Sequence, residues 1–305
     1  MKLQRWNAQK VAKVAKKIKP YVYIAPAVIP LLVFVYYPLL HSLTISFFNW
    51  NMVSPNKQWV GWDNYKTLVS SDEFWTAVQN TGLYIVLLLA LILVAPFFVA
   101  FAVTRVRGQW QAFYKGAIFT PTVVSLAVAS IAFLWLFNPL IGIVNELLEW
   151  IGLPKVNWLT DPEWALGSVA IITAWKTFGY HFIVLLAGLL AVPQDVIEMS
   201  RVEGLKRASG LLRNIYVPLS GGTLLYVFVI TVVFGIQHAF VPIQMLTNGG
   251  PNQATSHIVF LVYQYAFQFF QSGLASAVAV VTFLLFLLLI LLQAFVIDRR
   301  IYYEN

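Results

Sequence analysis

The run Leu87-Leu88-Leu89-Ala90-Leu91-Ile92-Leu93-Val94 carries no charge and no alternation of polar and apolar residues. Runs of this kind decide what the chain can become. In hydrocarbon every backbone donor and acceptor must be satisfied inside the protein, which leaves only helices and closed barrels. A barrel strand alternates over about ten residues, and these runs do not. In a chain of 305 residues that is 60% hydrophobic and 10% charged, the fold class is therefore all-α and polytopic.

Six segments are long enough to cross about 30 Å of hydrocarbon at about 1.5 Å per residue: 21–46, 80–104, 116–137, 166–192, 215–240 and 273–297. Pro38 and Pro96 are expected to bend their helices, because each removes a backbone donor within an apolar stretch. Ala25-Pro26-Ala27 has the look of a signal-peptide cleavage site, but the apolar run continues well past it, so an uncleaved first span is expected. Residues 254–271 are interrupted by Gln264, Gln268 and Gln271 and read as an interfacial or re-entrant helix rather than a seventh span.

The net charge of +8 is a matter of topology rather than of nucleic-acid binding. With the N-terminus inside, sixteen of the twenty Lys and Arg fall on the cytoplasmic side: Lys2, Arg5, Lys10, Lys13, Lys16, Lys17, Lys19, Arg105, Arg107, Lys115, Arg201, Lys206, Arg207, Arg213, Arg299 and Arg300. Lys57, Lys66 and Lys155 fall outside, with seven acids. This puts both termini and the 194–213 island in the cytoplasm. The aromatic residues, 16% of the chain, gather toward span ends as an interfacial belt rather than as a base-stacking platform. The absence of cysteine excludes disulfides and thiol chemistry.

The island itself reads as two helices joined by a glycine. Pro193 ends the fourth span, Asp195 is the expected N-cap, and Glu198 follows three residues on in a variant of the capping box. Ile197, Val202 and Leu205, with Met199 or Ser200 beside them, give the first helix an apolar side, which leaves Glu198, Arg201 and Glu203 for solvent or a partner. Gly204 reverses the chain, residues 205–216 form a second amphipathic helix, and Val217-Pro218 opens the next span. On these features alone a solvated loop and a docking element are equally open.

Residues Glu198, Gly204, Ile215 and Pro218 resemble the Glu-Ala-Ala loop of ATP-binding-cassette (ABC) importer permeases, with Met199 and Ser200 in place of the two alanines, Glu203 where aspartate is usual and Val217 where leucine is usual. Ten residues, one more than the family pattern, separate Gly204 from Ile215. Further matches run in order along the chain. They are Tyr37-Pro38, Ser46-Phe47-Phe48-Asn49-Trp50, Val60-Gly61-Trp62-Asp63-Asn64-Tyr65, Trp175-Lys176 before Gly179-Tyr180, Ala187-Gly188-Leu189 before Val192-Pro193, and Thr247-Asn248-Gly249-Gly250-Pro251. Together they are similar to the carbohydrate-uptake branch of type I importers, the maltose or glycerol-3-phosphate type.

The resemblance implies a type I ABC importer permease fold with six transmembrane helices. A basic N-terminal segment at 1–20, a permease domain at 21–297 and a tail at 298–305 are its expected divisions. It also implies a second homologous permease subunit, two ATP-binding subunits that hold ATP and Mg, an extracytoplasmic solute-binding protein, and residence in a bacterial or archaeal cytoplasmic membrane. No phosphate-binding loop occurs in this chain, so no cofactor is expected in it. By the same resemblance Glu198, Arg201, Glu203, Gly204 and Arg207 are the expected coupling residues. Thr122, Thr173, Trp175, Lys176, Thr177, and Gln237 or His238 are the expected lining of a substrate path.

Lys176 is the one Lys or Arg inside a span, where an unpaired charge costs on the order of 3 kcal/mol. It reads equally as a lining residue or as a structural lysine bonded to carbonyls. His238 by itself is more often an interfacial residue than a ligand. Lys176 and His238 would suit an anionic solute such as glycerol 3-phosphate, with an oligosaccharide as the other expectation. An ion-coupled secondary transporter is the alternative reading. It usually calls for carboxylates inside the membrane, and none of the twelve acids lies inside a span.

Overall fold

The computed structural model describes residues 19–205 and 207–296. Most of the basic N-terminal segment, Lys206 and the tail with Arg299 and Arg300 lie outside the described residues.

The first helix, α1 (Lys19–Ile45), buries only Ile45 and touches the rest of the chain at its C-terminal end. A short antiparallel ribbon follows, β1 (Phe48–Asn49) with β2 (Gln58–Trp59), and then α2 (Asp63–Val69). Asn64 donates to the carbonyls of Ser46 and Phe48 and pins the ribbon to α2. Ser71 caps α3 (Asp72–Val103) by accepting the Phe74 N–H.

Pro38 and Pro96 do not break their helices. Each is preceded by a wide turn with i→i−5 bonds, at Leu32–Tyr36 and Leu89–Val94. The wider turn relieves the clash of the proline ring with the carbonyl four residues back.

The expected third span, 116–137, is not one helix. Helix α4 (Gln109–Val123) ends in a tight turn over Thr120–Val123 that contains Pro121, and α5 (Leu126–Leu136) leaves it at 95°. The cause is local: Val124 and Ser125 are extended, and the Ser125 hydroxyl caps α5 by accepting the Val128 N–H. Among the described residues five helices are long and apolar enough to cross, and counting this bent pair as one crossing gives six spans.

A short amphipathic helix, α6 (Ile143–Trp150), precedes the long helix α7 (Pro162–Leu190), which starts with Asp161 as N-cap and Pro162 in the first turn. After α7 come α8 (Gln194–Val202) and α9, residues 208–219, with a wide turn at Leu212–Tyr216. The fifth span, α10 (Gly221–Thr247), begins after Ser220 rather than at Val217-Pro218. Helix α11 (Ile258–Gln268) is too short to cross, as the interrupting glutamines lead one to expect, and α12 (Ser272–Val296) completes the set.

Helix α7 lies at the centre and packs on α3, α4, α5 and α10. Its C-terminal half sits in a core with Phe97, Phe101, Val192, Ile197, Leu211 and Tyr216, at the end of the bundle that carries α8 and α9. At the opposite end the ribbon, α11 and the start of α3 are tied together. Tyr265 donates to the Glu73 carboxylate, Asn80 donates to the carbonyls of Gln253 and Ser256, and the Gly273 N–H bonds to the Trp50 carbonyl. Loops therefore alternate between two ends, as a polytopic chain requires.

Candidate functional site

The first feature is the loop at the α8–α9 end. The N-cap of α8 is Pro193, with no side-chain bond, and Asp195 lies in the first turn, where its charge still favours the helix dipole. Neither Asp195 nor Glu198 caps the helix as the sequence pattern suggests, because Pro193 already sets the extended entry at ψ 132°.

The C-terminus of α8 is a Schellman motif. The Leu205 N–H bonds to the Ser200 carbonyl and the Gly204 N–H to the Arg201 carbonyl, with Gly204 at φ +100°. Ile197 and Ser200 are buried and Leu205 is half-buried against the α7 core, while Val202 is 88% exposed and Met199 63%. The expected apolar side is thus split. Ile197 and Leu205 hold the helix to the bundle, and Met199 and Val202 project outward with Glu198, Arg201, Glu203, Gly204 and Arg207, all exposed. The second helix starts at 208 rather than 205, and its wide turn at Leu212–Tyr216 takes up one residue, the length by which this loop exceeds the family pattern.

The second feature is a cavity of about 270 Å³ walled by α3, α4, α7 and α10. Thr173, Lys176, Thr177, Tyr180 and His181 come from one face of α7, at the three- and four-residue spacing that stacks side chains along a helix. Thr231, Phe234, Gly235 and His238 do the same on α10, and Thr122 enters from the turn that ends α4. Trp175 and Gln237 do not line it. Trp175 sits between Ala174 and Lys176 on another side of the helix and packs edge-on against Phe133, and Gln237 is exposed away from the cavity. Sequence reading missed Tyr180, His181 and Thr231. The signal for them was the helical spacing from Thr173, Thr177 and His238.

Backbone and side chain interlock along this face. The Thr177 hydroxyl donates to the Thr173 carbonyl at 2.7 Å, and His181 Nδ1 donates to the Thr177 carbonyl at 2.9 Å. Tyr180 and Tyr226 hydroxyls are 3.1 Å apart at the cavity's edge. Gly179 lets α7 approach α4, since a Cβ there would lie 2.5 Å from the Ile118 carbonyl and 2.8 Å from Thr122 Oγ1. Among the described residues Lys176 has no ion-pair partner, and no carboxylate lines the cavity.

Comparison with known proteins places these features. The family model described as "Binding-protein-dependent transport system inner membrane component" matches residues 109–302. The chain is 30% identical over 280 residues to the probable ABC transporter permease protein YurN of Bacillus subtilis, covering 91% of this chain and 95% of that protein. It is also 30% identical over 291 residues to the sn-glycerol-3-phosphate transport system permease protein UgpA of Brucella abortus, covering 94% and 97%. The fold matches a chain from a bacterial ABC transporter involved in the import of the acidic polysaccharide alginate. That match has a TM-score of 0.81 at 24% identity and covers 95% of this chain and 99% of the other. A second structure of a bacterial alginate ABC transporter, in complex with an alginate pentasaccharide-bound periplasmic protein, matches with a TM-score of 0.77.

Proposed function

Because the chain belongs to the family of binding-protein-dependent transport system inner membrane components and is a multi-pass permease subunit of an ABC importer, we propose how its two features divide the work of import. The loop around α8 faces the cytoplasm and docks on an ATP-binding subunit, and the cavity is one wall of the solute path. A second homologous permease supplies the opposite wall, two ATPase copies hold ATP and Mg, and an extracytoplasmic binding protein delivers the solute. The permease domain spans 21–297, in a bacterial or archaeal cytoplasmic membrane with both termini inside. The solute is a sugar or a glycerol-3-phosphate-like compound, the classes named for relatives.

The observation that carries this reading is the split surface of α8. Ile197 and Leu205 join a core shared with Phe182, Leu185 and Leu186 of α7, one residue from His181 in the cavity wall. A push on the exposed face is therefore delivered to the helix that lines the cavity. Close-packed interiors transmit such displacement instead of absorbing it. Closure of the ATPase dimer draws the loops together and opens the cavity outward to the loaded binding protein; hydrolysis resets it inward. Ion coupling finds no support in either feature.

The chain has no cysteine, so a single one can be placed at will. Val202→Cys is expected to cross-link to the ATP-binding subunit in the assembled complex. Trp150→Cys, which lies on α6 at the opposite end, is expected not to. Cross-linking of the ATPase to position 150 but not to 202 would invert the orientation and overturn the proposal.

A further inference from the structure

The cavity contains chemistry that a neutral sugar does not call for. Lys176 is a cation in a wall with no carboxylate. His181 Nδ1 donates to the Thr177 carbonyl at 2.9 Å and His238 Nδ1 to the Phe234 carbonyl at 2.7 Å. A carbonyl only accepts, so each ring carries its proton on Nδ1, and in the neutral ring Nε2 is a bare lone pair. Both histidines thus present the same nitrogen as acceptor. His181 Nε2, Thr122 Oγ1 and Thr231 Oγ1 are buried with no partner among the described residues, and all three residues line the cavity. Buried polar atoms are normally paired, and leaving one unpaired is expensive.

These groups specify a ligand. An ammonium with no countercharge asks for an anion, and lone pairs on two imidazoles ask for hydroxyl hydrogens. Threonine hydroxyls serve either role. We infer that the transported solute is a hydroxylated organic anion, such as a polyol phosphate, a uronate or a sulfonated sugar. Its acid group pairs with Lys176 beside Thr122 and Thr231, and its hydroxyls donate to Nε2 of His181 and His238. A neutral saccharide satisfies the acceptors and leaves Lys176 without a countercharge in a low-dielectric wall. The inference rests on the importer reading above and narrows it to a charge class.

Two measurements test it. The first is native mass spectrometry of the solute held by the binding protein that works with this chain. A solute with a phosphate, carboxylate or sulfonate group is expected, and a neutral saccharide overturns the inference. The second is ATP-dependent uptake of that solute by the complete transporter in proteoliposomes, compared at equal amounts of assembled complex. Lys176→Met is expected to raise KM about tenfold or more, since a charge-assisted bond is lost, and Lys176→Arg to restore most of it. An unchanged KM in Lys176→Met overturns the assignment, as does a Lys176→Arg variant no better than Lys176→Met. Failure of the importer reading looks different, because the unaltered complex then takes up no binding-protein solute with ATP at all.

Discussion

Tyr84 on α3 donates its hydroxyl to Thr173 Oγ1 on α7 at 2.7 Å, with both side chains fully buried. This bond ties two spans together at the cavity and fixes the first rung of the Thr173, Thr177 and His181 ladder. Tyr84→Phe leaves Thr173 unpaired and is expected to cost about 1 kcal/mol, read as a lowered midpoint of thermal unfolding in detergent. Tyr84→Phe with Thr173→Val removes both partners and is expected to cost less than the two single changes added together. Simple additivity would show that the two hydroxyls do not interact.

Gly179 supports a sharper comparison. A Cβ at this position runs into the Ile118 carbonyl, the Phe119 Cα and Thr122 Oγ1, two of which are backbone atoms that cannot rotate away. Gly179→Ala is expected to push α7 off α4, with a stability loss of about 1–3 kcal/mol and reduced uptake. Gly167 lies in the same helix with nothing within 4 Å of a new Cβ, so Gly167→Ala is expected to be neutral or to stabilise by up to about 1 kcal/mol. Equal effects of the two changes in a thermal-unfolding assay would rule out the close helix crossing as the cause.

His257 lies outside the spans and caps α11 by accepting the Phe260 N–H on Nδ1 at 2.9 Å. Burial is the largest influence on the ring and pushes its pKa down from 6.5 to about 4. Between about pH 4 and pH 6.5 the folded state therefore holds neutral histidine where the unfolded chain holds imidazolium. Stability present above pH 6.5 is lost as pH falls toward about 4, an effect on the order of 3 kcal/mol. His257→Asn keeps a cap and is expected to flatten the melting temperature across this window. An unaltered slope would place the titration elsewhere.

The apolar runs made the spans legible, and the glutamines at 264, 268 and 271 correctly kept α11 from being read as a crossing. The Gly204 turn was legible too, because glycine is the residue that takes φ +100° without strain. The break at Val124-Ser125 was not. Its residues are apolar or small, and only the extended backbone with the Ser125 cap reveals it. Val202 reads as part of the apolar side of α8, yet it is 88% exposed, because apolar character alone does not decide burial. In the cavity, Lys176, Thr173, Thr177 and His238 were legible as polar groups in apolar surroundings. His181 was overlooked although it stands four residues after Thr177, since its significance lies in an Nε2 that only packing shows to be unpartnered.

The most direct test of the coupling account is uptake measured against ATP hydrolysis in the same vesicles. The complete transporter is reconstituted with ATP at the α8 face and loaded binding protein at the other. Uptake is expected to require both and to be insensitive to proton or sodium gradients. Gly204→Pro cannot adopt φ +100° and loses the N–H that closes the Schellman motif, and Glu198→Lys reverses a charge on the exposed face of α8. Both variants are expected to abolish uptake at normal membrane levels, although surface changes typically alter stability by less than about 0.5 kcal/mol. Full ATP-driven uptake in both variants, or uptake sustained by an ion gradient without ATP, would contradict the account.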